Sequence, residues 1–230
     1  VNPWDIRTAC EFTAGKRTVT RLPSTRTSLV FSHRQGGASH LVVLGPRTRA
    51  KYFPVKEPSV VVGVEPHMGW ARALLGVPVH ELADQVVPLS DLWGTSELHD
   101  SLVAEPARAA ELIEKALSDR VTDNPAAELV TEATRWLGRE RLPETARRLN
   151  VSERHLRTLF TGTVGVSPKR FVQVNRVRSV LSRAGARKGA QLAAESGYYD
   201  QSHMTAEFRA TMGVPLSAYL AGELTPGSTC

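Results

Sequence analysis

The C-terminal half of the chain contains one short segment twice, about 48 residues apart. The first copy runs Ser152-Glu153-Arg154-His155-Leu156-Arg157-Thr158-Leu159-Phe160, then Gly165-Val166 and Phe171. The second runs Asp200-Gln201-Ser202-His203-Met204-Thr205-Ala206-Glu207-Phe208, then Gly213-Val214 and Tyr219. Cap residues, histidines, apolar positions and glycines fall in step. A solenoid needs three or more stacked units, so two copies do not make one. Two copies of a helix pair instead suit a ligand that itself repeats.

The residues around each copy predict a helix, a tight turn and a second helix. Asn124-Pro125 opens a helix whose inward positions are Leu129, Ala133, Trp136 and Leu137, and Gly138 ends it. Pro143 opens a short helix to Leu149, Asn150-Val151 turns the chain, and Ser152 caps the next helix. Lys169–Leu181 is a longer helix opened by Ser167-Pro168. A basic, Gly/Ala-rich connection then leads to a short helix over Gln191–Ser196. Gly197-Tyr198 turns, Asp200 caps, and a last short helix covers Leu216–Leu220. Ala146 and Ala193 supply the small residue across which a second helix packs. Leu156, Leu159 and Phe160 face inward on one helix, and Met204 and Phe208 on the other. Arg154, Arg157, Thr158 and Thr161 then face outward on the first. Gln201, Ser202, His203 and Ala206 do so on the second.

Charge is concentrated under this repeat. The net charge is +6. Residues 1–123 carry 14 Lys/Arg and 14 Asp/Glu, so the whole excess lies in 124–230. Within that half, 124–190 is +9 and 191–230 is −3. A basic run is commonly a solvated face. Laid over a helix repeat it becomes an electrostatic footprint for phosphates. Arg pairs bidentately with guanine and Gln with adenine in the major groove. The expected partner is double-stranded DNA, with two units entering successive major grooves on one side of the duplex. The candidate contacts are Arg154, His155, Arg157, Thr158, Thr161, Lys169, Arg170, Gln201, Ser202 and His203. The two histidines suit packing at the helix ends or phosphate contact better than base reading. Ala206 is short for a groove-facing position and its surroundings are acidic. The first unit and the linker helix are therefore expected to supply most of the affinity.

Residues 1–60 read as β. Ser28–Ser32, His40–Leu44 and Ser59–Val64 are short apolar or β-branched runs, separated by Gly36-Gly37, Gly45-Pro46, Pro54 and Pro58. A small barrel or sandwich would hold such strands. Residues 67–100 look mixed, with short helices near Trp70–Leu75 and Val79–Asp84. Pro106–Leu117 is an amphipathic helix, packed on its own domain or forming a dimer interface. The polar stretch Ser118–Asn124 is the expected boundary between a β-rich domain over 1–120 and a helical one over 124–225. The fold class expected is α+β. Composition is ordinary for a globular chain, at 41% hydrophobic and 23% charged, which is enough for a core. No apolar run reaches the roughly 18 residues a membrane span needs, and no signal peptide is evident. Cys10 and Cys230, the only cysteines, allow at most one disulfide and suit a reduced cytoplasmic compartment. His33, His40, His67, His80 and His99 form no tight ligand pattern, so no metal or cofactor is expected. No Gly-x-Ser-x-Gly, phosphate-binding Gly-rich loop or nucleophile–base pair marks an enzyme, and no catalytic residue is assigned.

Residues 125–221 resemble the DNA-binding domain of AraC-type bacterial transcription regulators. The carrying motifs are Ala146-Arg147-Arg148-Leu149-Asn150-Val151-Ser152 through Leu159-Phe160, and Gly165-Val166-Ser167-Pro168. The most specific stretch is Gly197-Tyr198-Tyr199-Asp200-Gln201-Ser202-His203 through Phe208-Arg209 and Gly213-Val214-Pro215. Met204 stands where an aromatic residue is usual in the family. The resemblance implies two helix-turn-helix units bridged by a linker helix. It also implies control of transcription near a promoter, often by touching RNA polymerase. The N-terminal half is similar, more loosely, to sensory domains of this family. The motifs there are Val62-Gly63-Val64, Ala73–Pro78, Glu81–Asp84 and Val87–Gly94. That likeness implies a β-rich, cupin-like module that binds a small-molecule effector or makes a homodimer. Phe31, Tyr52, Phe53, Trp70 and Trp93 are the candidate effector-lining residues, although core packing is the better reading of each. Two rival readings stay open. One is a DNA-binding repressor whose N-domain only dimerises. The other is a β-domain enzyme or binding module with a helical appendage.

Overall fold

A computed structural model describes residues 3–8, 13–14, 18–33, 37–54 and 60–223. Its strands are β1 (Trp4–Thr8), β2 (Thr13–Ala14), β3 (Thr18–Arg21), β4 (Ser28–His33), β5 (Ser39–Leu44), β6 (Lys51–Pro54), β7 (Val60–Pro66) and β8 (Val86–Pro88). The helices are α1 (Ala71–Leu75), α2 (Leu89–Trp93), α3 (Glu97–Ala104), α4 (Ala109–Ser118), α5 (Pro125–Trp136), α6 (Leu142–Arg148), α7 (Glu153–Val164), α8 (Pro168–Arg183), α9 (Gly189–Glu195), α10 (Gln201–Met212) and α11 (Leu216–Ala221). A β-rich N-terminal region is thus followed by a helical one, the α+β class expected from sequence. The described residues group into two compact units that interleave along the chain. One takes those of Val1–Cys10, Arg26–Pro46 and Glu57–Pro168; the other takes those of Glu11–Thr25, Arg47–Lys56 and Lys169–Cys230.

The first unit is built on an antiparallel sheet in the order β1-β7-β4-β5-β8. Side chains alternate between the faces of a strand, so every second residue can share one core. Leu29 and Phe31 of β4, Leu41 and Val43 of β5, and Val62 and Val64 of β7 are all buried. Their pairing brings Phe31 opposite both Leu41 and Val62. Helix α4 covers β7 and buries Ala109, Ile113 and Leu117, one residue per turn on a single stripe. Helix α7 belongs to this unit and packs against α1 and the 3₁₀ turn at Val79–Leu82. Gly165 ends α7 with φ +85, and a Cβ there would lie 2.6 Å from Pro46 Cγ and 2.8 Å from the Val79 carbonyl oxygen. A left-handed conformation and a close approach both demand glycine at this position.

The second unit joins the antiparallel sheet β2-β3-β6 to helices α8–α11. Val177, Val180, Leu192, Met204, Phe208 and Met212 form its core, and Leu22 and Ala50 pack against it. Backbone groups tie the β segment to the helices. The Tyr52 hydroxyl donates to the Met212 carbonyl at 2.6 Å, and the Ala50 N–H to the Thr211 carbonyl at 3.0 Å. Arg178 donates to the Pro23 carbonyl at 3.1 Å. Burial, with Tyr219 a lesser cause, pushes the Tyr52 phenol up to about 12 and keeps it a donor.

The strands expected over Ser28–Ser32 and His40–Leu44 each run one residue longer, to His33 and from Ser39. Of the third expected strand, Ser59 lies outside the described residues and Val60–Val64 falls within β7. Gly36, Pro58, Cys10 and Cys230 also lie outside the described residues. Strands β1, β2, β3, β6 and β8 and helices α2 and α3 add to the sequence reading. The helix expected from Pro106 begins as a 3₁₀ turn over Pro106–Arg108 and becomes α-helical at Ala109. That expected near Val79–Asp84 is a 3₁₀ turn only, because Ala83 is extended and Asp84 has φ 61. No described helix is long and apolar enough to cross a membrane. The Gly165→Ala substitution is expected to cost at least about 1–2 kcal/mol, because it combines a left-handed side-chain residue with a clash. A fall in the thermal midpoint followed by circular dichroism tests this.

Candidate nucleic-acid interface

The first unit's helix pair is α6 and α7. Ala146 is buried on α6, and its carbonyl accepts the Val151 N–H at 3.0 Å across the turn. Asn150 takes φ 55, the left-handed conformation that turns the chain so tightly. Ser152 Oγ then accepts the His155 N–H at 3.1 Å and caps α7. Leu156, Phe160 and Val164 are buried. Arg148 steadies the pair from outside, with its guanidinium 3.9 Å from the Trp136 ring centre and its Nε and Nη2 each donating to Glu140 at 3.0 Å. That contact holds the Glu140 carboxyl below the usual carboxylate range.

The second helix pair, α9 and α10, repeats the arrangement. Ala193 is buried and its carbonyl accepts the Tyr198 N–H at 3.0 Å. Gly197 turns the chain with φ 79. Asp200 caps α10, accepting the His203 N–H at 2.7 Å. Met204, Phe208, Thr211 and Met212 are buried where Leu156, Phe160, Thr163 and Val164 are buried in the first copy. The copies differ by one residue at the turn, for Tyr199 stands between turn and cap and is 95% exposed.

The outward side chains fall largely as the pattern predicts. Arg154, His155, Arg157 and Thr158 are exposed on α7, whereas Thr161 is half-buried. Arg157 forms an i,i+4 hydrogen bond and ion pair with Glu153. Lys169 is exposed on α8, but Arg170 is half-buried and donates to the Thr48 carbonyl at 2.6 Å. Gln201, Ser202 and His203 are exposed on α10, with the Gln201 amide oxygen beside Gly189. The His203 ring packs edge-on against Tyr198 at 5.3 Å, and its Nε2 lies 3.9 Å from Glu207.

The five aromatic candidates for an effector pocket divide between the units. Phe31 is fully buried in the first core, and Trp70 and Trp93 pack half-buried against it. Arg120 lies over the Trp93 ring at 4.0 Å. Tyr52 and Phe53 belong to the second unit, where Tyr52 holds the Met212 carbonyl and Arg21 lies 5.3 Å from the centre of the Phe53 ring.

A further pair escapes any local reading of the sequence. Arg176 of α8 reaches Glu207 of α10 at 3.1 Å, lies 4.9 Å from the Tyr198 ring centre and approaches the Gly197 carbonyl at 3.4 Å. One guanidinium therefore links the linker helix to both the turn and the second outward-facing helix.

Residues 145–222 match the family model of a helix-turn-helix domain. The match overlaps residues 125–221, the segment whose motifs resemble AraC-type regulators. Among solved structures, ToxT from Vibrio cholerae O395 is 12% identical over 95% of this chain and 96% of its own, with a TM-score of 0.46. ToxT bound to (E)-4-(8-methylnaphthalen-1-yl)but-3-enoic acid is 14% identical over 96% of this chain and 98% of its own, with the same score of 0.46. The C-terminal domain of AraT, a response regulator from Geobacillus stearothermophilus, is 19% identical over 46% of this chain and 95% of that domain, at 0.40. No curated protein matches the chain.

Glu207 is nearly buried, so removing its partner leaves a carboxylate without its counter-charge. Arg176→Ala is expected to destabilise the protein by more than Ser152→Ala, whose lost cap costs about 1 kcal/mol. Paired urea titrations of the two variants check the ranking.

Proposed function

We propose that the chain is a sequence-specific transcription regulator that lays α7 and α10 into two successive major grooves of one duplex, about 34 Å apart. The observation that supports this most is the twice-built unit. Buried alanine, left-handed turn, side-chain cap and polar outward face recur in the same order. In this reading Arg154 and Arg157 contact base edges, with Thr158 beside them. Lys169 and the basic stretch around it meet phosphates. Gln201 and Ser202 work from the second helix, and His155 and His203 serve the helix ends. The β-rich region senses a small-molecule effector or joins two copies, and the protein acts in the cytoplasm, where its DNA lies.

Affinity for a selected duplex is expected to fall steeply with salt, as phosphate neutralisation requires. Arg154→Ala or Arg157→Ala is expected to cost about 1–3 kcal/mol of specific binding, and more than Gln201→Ala. Titration of each variant against the same duplex at several salt concentrations measures both effects. A salt-independent affinity defeats the reading. A metabolite screen by thermal shift addresses the effector, because a ligand bound only by the folded form raises the melting point.

A further inference from the structure

The two outward faces are not chemically equivalent. Superposing the copies by their caps, Ser152 and Asp200, puts Ser202 at the place of Arg154 and Thr205 at that of Arg157. Ala206 stands at the place of Thr158. Both guanine-reading side chains of α7 are therefore replaced on α10 by short ones. The Thr205 hydroxyl does not make up the loss. Its Oγ1 donates to the Gln201 carbonyl at 2.8 Å, one turn back in the same helix. With the hydroxyl engaged by the backbone, the group Thr205 presents outward is its γ-methyl. Ala206 adds a β-methyl beside it, and both residues are exposed. Gln201 and Arg209 bracket these methyls in an open concavity lined also by Ser202 and Ala210.

We infer that the second helix reads an A·T step, with the thymine 5-methyl group seated against the Thr205 and Ala206 methyls and the Gln201 amide on an adenine. Apolar contact with the thymine methyl and bidentate Gln–adenine bonding are both available in the major groove. This rests on the DNA-reading function proposed above and gives each head its own base class: guanine for α7, thymine with adenine for α10. The −3 charge of 191–230, the stretch that carries α10, fits a head that selects bases more than it attracts phosphate.

The test uses the full chain and the tightest duplex recovered by selection from a random library. Each thymine is replaced in turn by deoxyuridine, which deletes only the 5-methyl group. At least one replacement is expected to weaken wild-type binding about three- to fivefold, the scale of one buried methyl group. That sensitivity is expected to vanish in Thr205→Ser, which deletes the γ-methyl and keeps the hydroxyl, or in Ala206→Gly. Unchanged far-ultraviolet circular dichroism and unchanged affinity for the deoxyuridine duplex show that the variants are folded. Tight, selective binding that no deoxyuridine alters overturns the inference and leaves the proposed function standing. So does a thymine effect that persists at full size in both variants. A selection that recovers no sequence overturns the proposed function and this inference with it.

Discussion

Each helix pair depends on one backbone contact: an amide three residues past the first helix returning to the carbonyl of a buried alanine. Val151 makes it to Ala146 and Tyr198 to Ala193, both at 3.0 Å. The chain must reverse between them in a single residue, so Asn150 and Gly197 take positive φ. That conformation costs most residues about 1–2 kcal/mol, which glycine avoids and asparagine tolerates. A larger side chain at Ala146 or Ala193 would hold the helices apart and break the contact. The direction of α7 and α10, and with it the placing of every outward side chain, follows from this turn.

Electrostatics is layered on that geometry, and the kind of partner a cation has decides what it contributes. Arg147, Arg148 and Arg157 pair with Glu144, Glu140 and Glu153, so their charges are locally answered. Arg178 bonds instead to the carbonyl of Pro23. A carbonyl orders a guanidinium without cancelling its charge. Arg178 continues to add to the field of the +9 stretch while its side chain is held still. Surface pairs such as Arg157–Glu153 are weak in water and exchange readily for a phosphate or a guanine edge.

Local features of the sequence are legible because their causes are local. Caps at Ser152 and Asp200, turns at Asn150 and Gly197 and the buried positions of α7 and α10 each depend on residues within a few places of one another. What escapes a sequence reading depends on distant partners. The Tyr52 bond to Met212 spans 160 residues, that of Arg170 to Thr48 spans 122, and that of Arg176 to Glu207 spans 31. No periodicity encodes such pairings. The short strands β3 and β6 are hidden for the same reason, since they are strands chiefly because they pair with each other. Their side of the molecule reads as N-terminal in sequence, yet Leu22 and Ala50 pack against the core of the second helix pair. Among the effector candidates, residue type alone does not separate the buried Phe31 from the exposed Phe53.

The duplication separates what packing fixes from what it leaves open. Leu156 and Met204, Phe160 and Phe208, and Val164 and Met212 are apolar and buried in both copies, because a polar or much smaller group at any of them would cost several kcal/mol. The outward positions carry no such penalty. Arg154 matches Ser202 and Arg157 matches Thr205 with the scaffold beneath them unchanged in plan. A surface exchange of this kind shifts stability by roughly half a kcal/mol or less, whereas a single bidentate pairing with a base edge is worth about 1–3 kcal/mol. The outward chemistry of each helix pair can therefore be set almost independently of its fold, and one helix-turn-helix plan can carry two different outward faces in a single chain.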